Sequence, residues 1–111
     1  MTPTFSLIDE NQKKMARYAK AMAHPARIYI LDLLNGQQCC YSGDLSEVLP
    51  MAKSTLSGHL KELKEAGLIQ GETEAPKIRY CINRKNWEEA KSLFSNLFQE
   101  RIDFKDTCSI N

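Results

Sequence analysis

Two adjacent thiols, Cys39 and Cys40, are the residues of this chain best suited to chemistry. They stand in a polar connector, Gln37 to Tyr41, where no core demands them, and a pair of neighbouring thiolates can hold one large, soft ion. Trivalent arsenic or antimony takes three thiolates in a pyramid, and Cys108, near the end of the sequence, is the candidate for the third, from the same or a partner subunit. Tetrahedral zinc needs four ligands, whereas the two histidines, His24 and His59, stand in structural places. The same thiols could instead serve a thiol-oxidation or persulfide switch, or no ligand at all. Cys81 lies inside a strand pattern and reads as a packing residue. Thiols of cytosolic proteins stay reduced, so the four cysteines are expected to be ligands, sensors or buried residues rather than structural bridges. No permanently bound cofactor is expected. An enzyme with Cys39 or Cys40 as nucleophile would need a base and an orienting acid, and neither is apparent; no glycine-rich phosphate loop is present either.

A second constellation suits nucleic acid. Between Met51 and Ile69, Leu56, Leu60 and Leu63 recur at i, i+4 and i+7, one stripe of an α-helix turned toward a core. Ser54, Ser57, Gly58 and Lys61 fall on the opposite half of the wheel, with Lys53 and Lys64 at its margin. Small side chains there permit close approach to a major groove, while hydroxyls and lysines reach base edges and phosphates. His59 sits near the edge of the leucine stripe and reads as a core-edge residue rather than a base reader. Gly67 supplies the left-handed residue that stops the helix.

Composition restricts the alternatives. A chain of 111 residues with 42% hydrophobic and 26% charged residues suits one globular domain with its own core. Nothing in it resembles a signal peptide or a membrane span, so a cytoplasmic protein without a membrane partner is expected. A formal net charge of +1 does not fit a non-specific nucleic-acid binder. Affinity for DNA must come from local clustering, which Lys53, Lys61, Lys64, Lys77, Arg79, Arg84 and Lys85 provide.

These groups need positioning elements, and the sequence supplies them in order. Residues 1–8 read as an N-terminal arm, 9–102 as one domain and 103–111 as a C-terminal tail. A first helix is expected from Asp9 or Glu10 to Ala23, with Met15, Tyr18, Ala19 and Met22 on its apolar face. His24-Pro25 breaks it. Pro25 fits the first turn of a second helix that carries Ile28, Leu31 and Leu34 inward and ends at Gly36. Ser42 can cap a third helix, with Asp44 in its first turn, Leu45, Val48 and Leu49 turned inward and Pro50 as its stop. After Gly67 the period changes to two: strands are expected over Leu68 to Thr73 and Ile78 to Asn83, joined by a turn around Glu74-Ala75-Pro76. A last helix from about Asn86 carries Trp87, Ala90, Phe94, Leu97 and Arg101, widened by Leu93 and Phe98. So broad an aromatic stripe suits a dimer interface, with burial in the monomer as the alternative.

The run from Ser54 to Leu60, Ser-Thr-Leu-Ser-Gly-His-Leu, followed by Leu63, Ala66, Gly67, Leu68 and Ile69, resembles the recognition-helix signature of the ArsR/SmtB family of winged-helix repressors. The run from Lys20 to Leu34, with His24-Pro25, an Ile-Leu pair and Leu33-Leu34, resembles the same family. The match extends over roughly Met15 to Gln99 and is most like the arsenic-responsive branch. Ala52 stands where the family often has a serine cap, a difference worth about 1 kcal/mol at the helix start. Arsenic sensors of the family often carry Cys-x-Cys in the third helix, before Asp-Leu; here Asp44-Leu45 follows Tyr41-Ser42-Gly43, and the thiols lie upstream. The His and acidic ligands of the family's zinc sensors in the last helix are missing.

The resemblance implies a mainly α fold with a small β-hairpin, a winged helix-turn-helix dimerising through its terminal helices. It implies a homodimeric repressor on an inverted-repeat, double-stranded operator, released by arsenite or antimonite. Lys53, Ser54, Thr55, Ser57 and Lys61 are the expected DNA contacts from the helix, and Lys77 and Arg79 from the wing. Cys39, Cys40 and Cys108 are the expected metalloid ligands. The alternatives are a thiol-redox or persulfide-responsive repressor of the same fold and a ligand-free winged-helix interaction module.

Overall fold

The computed structural model describes residues 7–37, 45–74 and 77–102, of which 72–74 and 77–78 are described in backbone only. The order is α1 (Glu10–Met22), α2 (Pro25–Asn35), α3 (Leu45–Val48), α4 (Lys53–Glu65), β1 (Ile69–Glu74), β2 (Lys77–Ile82) and α5 (Arg84–Phe98). The two strands pair antiparallel from Ile69 opposite Ile82 to Glu74 opposite Lys77. This is a winged helix-turn-helix: α3 and α4 form the helical pair and the hairpin is the wing.

Local chemistry sets the boundaries. At the start of α1 the Asp9 carboxylate accepts from the Gln12 backbone N–H at 2.8 Å, and the Gln12 amide oxygen accepts from the Asp9 N–H at 3.0 Å. This reciprocal pair satisfies two donors that a helix start would otherwise leave open. His24 caps α2 by accepting the Ala26 N–H at 3.0 Å, and Pro25 occupies the first turn, where its missing N–H costs nothing. The Asn83 side chain caps α5. Gly67, at φ +87°, ends α4: its N–H donates to the Lys64 carbonyl and the Leu68 N–H to that of Leu63, the two bonds of a left-handed helix stop.

One core unites these pieces, centred on Ile30, Leu34, Leu63, Leu68 and Ile69, all fully buried. Leu56, Leu60 and Leu63 face it from α4, as their spacing requires. Three expected inward positions are corrected. Ala19 is exposed, and Ala21 is buried in its place. On α2 the buried residues are Ile30, Leu31 and Leu34, whereas Ile28 is exposed. The side of α2 that meets β2 and α4 is rotated from the expected stripe and takes the second isoleucine of Ile28-Tyr29-Ile30. Val48 is exposed while Leu45 and Leu49 are buried, because α3 has a single turn and presents few positions inward.

Polar contacts fix α5 against the rest. Glu89 accepts from the Lys14 ammonium at 2.9 Å and from the Tyr18 hydroxyl at 2.7 Å, joining α5 to α1. The Lys14 and Tyr18 hydrogen bonds hold the Glu89 carboxyl below its usual pKa. Burial, with the bond to Glu89, pushes Tyr18 up to about 12. Arg84 donates to the Asn35 side chain at 2.7 Å and to the Gln37 carbonyl at 3.4 Å, joining α5 to the end of α2. Among the described residues no helix is long and apolar enough to cross a membrane. The Ser42 cap, Asp44, most of the N-terminal arm, the tail from 103 and residues 75 and 76 of the hairpin turn lie outside the described residues.

Candidate DNA interface

The side of α4 opposite its leucines is open. Lys53, Ser54, Thr55, Ser57, Gly58 and Lys61 are all exposed, so five expected DNA contacts stand on one accessible surface. Gly58 has nothing near the position a Cβ would take, leaving the face flat at its middle. Lys53 begins the helix and no acid lies in its first turn. The exposed N–H groups and the dipole there favour an anion such as a backbone phosphate. Ala52 precedes it without a side-chain cap, consistent with the missing serine.

His59 is on the same helix but turned inward and only 8% exposed. It is a core residue, as its place beside the leucine stripe suggests. Its Nδ1 accepts from the Arg27 Nε–H at 2.9 Å, a link between α4 and α2 that the sequence reading missed. Nothing local signals it, since 32 residues separate the partners.

The wing places Arg79 opposite Glu72 and Lys77 opposite Glu74. With two acids and two cations in its strands, the hairpin has a formal charge of zero. The Lys77 side chain lies outside the described residues, and Arg79 is partly buried. Two of the clustered cations are placed elsewhere. Arg84 is engaged with α2, and Lys85 lines a cleft beside Lys13, Lys14 and Arg17 at the Gly67 end of α4. That is about 20 Å along the helix from Lys53.

The thiols bring a correction. Cys81 is disulfide-bonded rather than a free packing residue. It lies on β2 opposite Gln70, whose side-chain amide approaches its sulfur at 3.9 Å. Cys39, Cys40 and Cys108, the expected metalloid ligands, lie outside the described residues, and among those described no cluster of three metal-ligating side chains occurs.

An open, hydroxyl- and lysine-bearing helix on a two-helix unit beside a β-hairpin defines a winged helix-turn-helix DNA-binding protein. Residues 24–70 match the model of the arsR family of bacterial regulatory proteins. The chain is 31% identical over 78 residues to the HTH-type transcriptional regulator YgaV of Escherichia coli, spanning 70% of this chain and 79% of that protein. It is 32% identical to the arsenical resistance operon repressor of Staphylococcus xylosus, over 66% of this chain and 69% of that one. Among solved structures, it superposes with a TM-score of 0.60 and 26% identity on a homodimeric winged helix-turn-helix domain from Mycobacterium bovis, a possible ArsR-family regulator. That match covers 87% of this chain and 82% of the other. The chain belongs to the ArsR family: it is a DNA-binding transcriptional regulator and not an enzyme.

Proposed function

We propose that this regulator is a repressor that binds an inverted-repeat operator as a homodimer and is released by oxidation of its cysteines. The disulfide at Cys81 carries this reading. Cys81 precedes Ile82, which is buried, and Asn83, whose side chain caps α5 and whose N–H donates to the Leu68 carbonyl. A bridge at this strand therefore acts where the wing, the end of the recognition helix and the start of α5 converge. Two thiols lose two protons and two electrons to a hydrogen peroxide molecule, which leaves as two waters, and a dithiol reductant reverses the step.

The dimer supports the spacing of the two reading heads. Leu97 and Phe98 are exposed at the end of α5, with Phe98 stacked on Phe94 at a centroid distance of 6.3 Å. The homodimeric M. bovis domain has the same fold. Pairing through α1 and α5 would set two α4 helices about 34 to 36 Å apart in successive major grooves. Ser54, Thr55, Ser57 and Lys61 then meet bases and phosphates, with Lys53, Lys77 and Arg79 on the backbone.

A second reading, release by arsenite or antimonite at Cys39, Cys40 and Cys108, draws on the relative named as an arsenical resistance operon repressor. The two readings compete for the same atoms. Within one chain a bridge at Cys81 can use only Cys39, Cys40 or Cys108, so its formation removes one thiolate from that three-sulfur set. The test is operator affinity of reduced, peroxide-treated and arsenite-treated protein. Oxidation should weaken binding about 5- to 150-fold, and a dithiol should restore it. A response to arsenite with none to peroxide would favour the metalloid.

A further inference from the structure

The chain's two histidines meet between the start of α2 and the inner side of α4. Their rings lie 4.4 Å apart, centroid to centroid, tilted by 48°. In each the Nδ1 is an acceptor: that of His24 takes the Ala26 backbone N–H, and that of His59 takes the Arg27 Nε–H. An imidazole whose Nδ1 accepts carries its proton on Nε2. In this pose the His59 ring is therefore neutral, with its tautomer fixed by Arg27. Arg27 also donates from Nη1 to the Ala21 carbonyl at 3.3 Å, in the last turn of α1. One guanidinium thus joins the end of α1, the first turn of α2 and the buried side of the recognition helix.

We infer that Arg27 is a positioning residue for DNA recognition: through the Nδ1 of His59 it fixes the pose in which α4 presents Ser54, Ser57 and Lys61, and proton uptake by His59 releases that pose. The inference rests on α4 being the reading helix and takes the Arg27–His59 link, present here with Cys81 bridged, to be kept in the reduced, DNA-binding protein. A protonated His59 offers no acceptor at Nδ1 and sets a cation against Arg27. The groups acting on its charge are His24, from the corner between α1 and α2, and Arg27, from α2 itself. Burial first, then His24 and Arg27, holds its pKa below the usual 6.5. The neutral ring belongs to the reading pose. The link is therefore complete above pH 6.5 and is lost as pH falls through the lower value.

The probe is a duplex that the protein itself selects from a randomised library, compared with a scrambled duplex by fluorescence anisotropy under reducing conditions between about pH 5 and 8. Wild type should bind the selected duplex with constant affinity above pH 6.5 and lose about tenfold or more, 1.4 kcal/mol, in acid. His59→Asn puts an amide oxygen near the place of Nδ1 and does not titrate. Whatever its affinity at neutral pH, it should keep that affinity in acid. Arg27→Met should weaken the selected duplex about tenfold at neutral pH and leave the scrambled one unchanged, since phosphate contacts survive a misposed helix. His24→Asn keeps a good helix cap and should keep the acid response. A flat wild-type profile, an acid loss that survives in His59→Asn, or one that vanishes in His24→Asn overturns the inference alone. If Arg27→Met fails to fold, the comparison of His59→Asn with wild type decides. A wild type without preference for any duplex overturns the reading of α4 as well.

Discussion

Gly67→Ala and Gly58→Ala should move stability in opposite directions, although both exchange a glycine of the recognition unit for the same residue. At Gly67 the backbone has φ +87°, a left-handed conformation that costs a residue with a Cβ about 1 to 2 kcal/mol. The new Cβ would also stand 2.8 Å from the Asn86 amide nitrogen. Asn86 must then give up its 2.9 Å bond to the Gly67 carbonyl, worth about 0.5 to 1.5 kcal/mol. The total is a loss of about 1.5 to 3.5 kcal/mol. At about 4 to 8 °C per kcal/mol for a domain of this size, a loss near 2.5 kcal/mol lowers Tm by about 10 to 20 °C. At Gly58 the conformation is helical and nothing lies within 4 Å of the new Cβ. Alanine there should gain about 0.5 to 1 kcal/mol. Thermal and urea unfolding followed by circular dichroism, at one fixed protomer concentration because a dimer's stability depends on it, measures both. A loss below about 0.5 kcal/mol for Gly67→Ala would refute the account of the helix stop. The pair also reports on function. Gly58→Ala should weaken operator binding while raising stability, because its methyl group projects from the face that meets DNA.

Other expectations follow from the same surfaces. Ser57→Ala should relax sequence preference at one base position by about 0.5 to 1.5 kcal/mol, the worth of one hydrogen bond. Lys61→Ala should weaken selected and scrambled duplexes alike and flatten the salt slope by about one unit, as measured by titrations at several salt concentrations. Unchanged binding in both would remove α4 from the interface. Leu97→Glu should yield monomers in sedimentation, because it would bury an unpaired charge between subunits while touching little within one. Phe94→Glu is a poorer probe, since Phe94 also packs on the protomer's own core.

The elements were legible because their signals are local. Asp9, Pro25 and Gly67 mark helix ends within a few residues, and Leu56, Leu60 and Leu63 fix the inward face of α4 by period alone. The exposed face of α4, and with it five of the seven expected DNA contacts, follows from that period. Choices between neighbouring apolar residues were less legible. Ile28 and Ile30 both allow a plausible stripe, and the packing of α2 against β2 and α4 selects Ile30. Links across the fold left no mark in the sequence: Arg27 with His59, Arg84 with Asn35 and the bridge at Cys81 all depend on how separate elements come together. Four cysteines allow three complete pairings, and spacing alone does not choose among them or favour a bridge over free thiols.

Release by oxidation is read from operator affinity as a function of thiol state. Reduced wild-type protein and Cys81→Ser should bind the selected duplex alike. Peroxide should weaken wild type by about 5- to 150-fold, reversibly with a dithiol, and leave Cys81→Ser unaffected. An equal peroxide response in Cys81→Ser, or undiminished binding by wild type whose Cys81 bridge is verified by peptide mapping, would rule out release through this bridge.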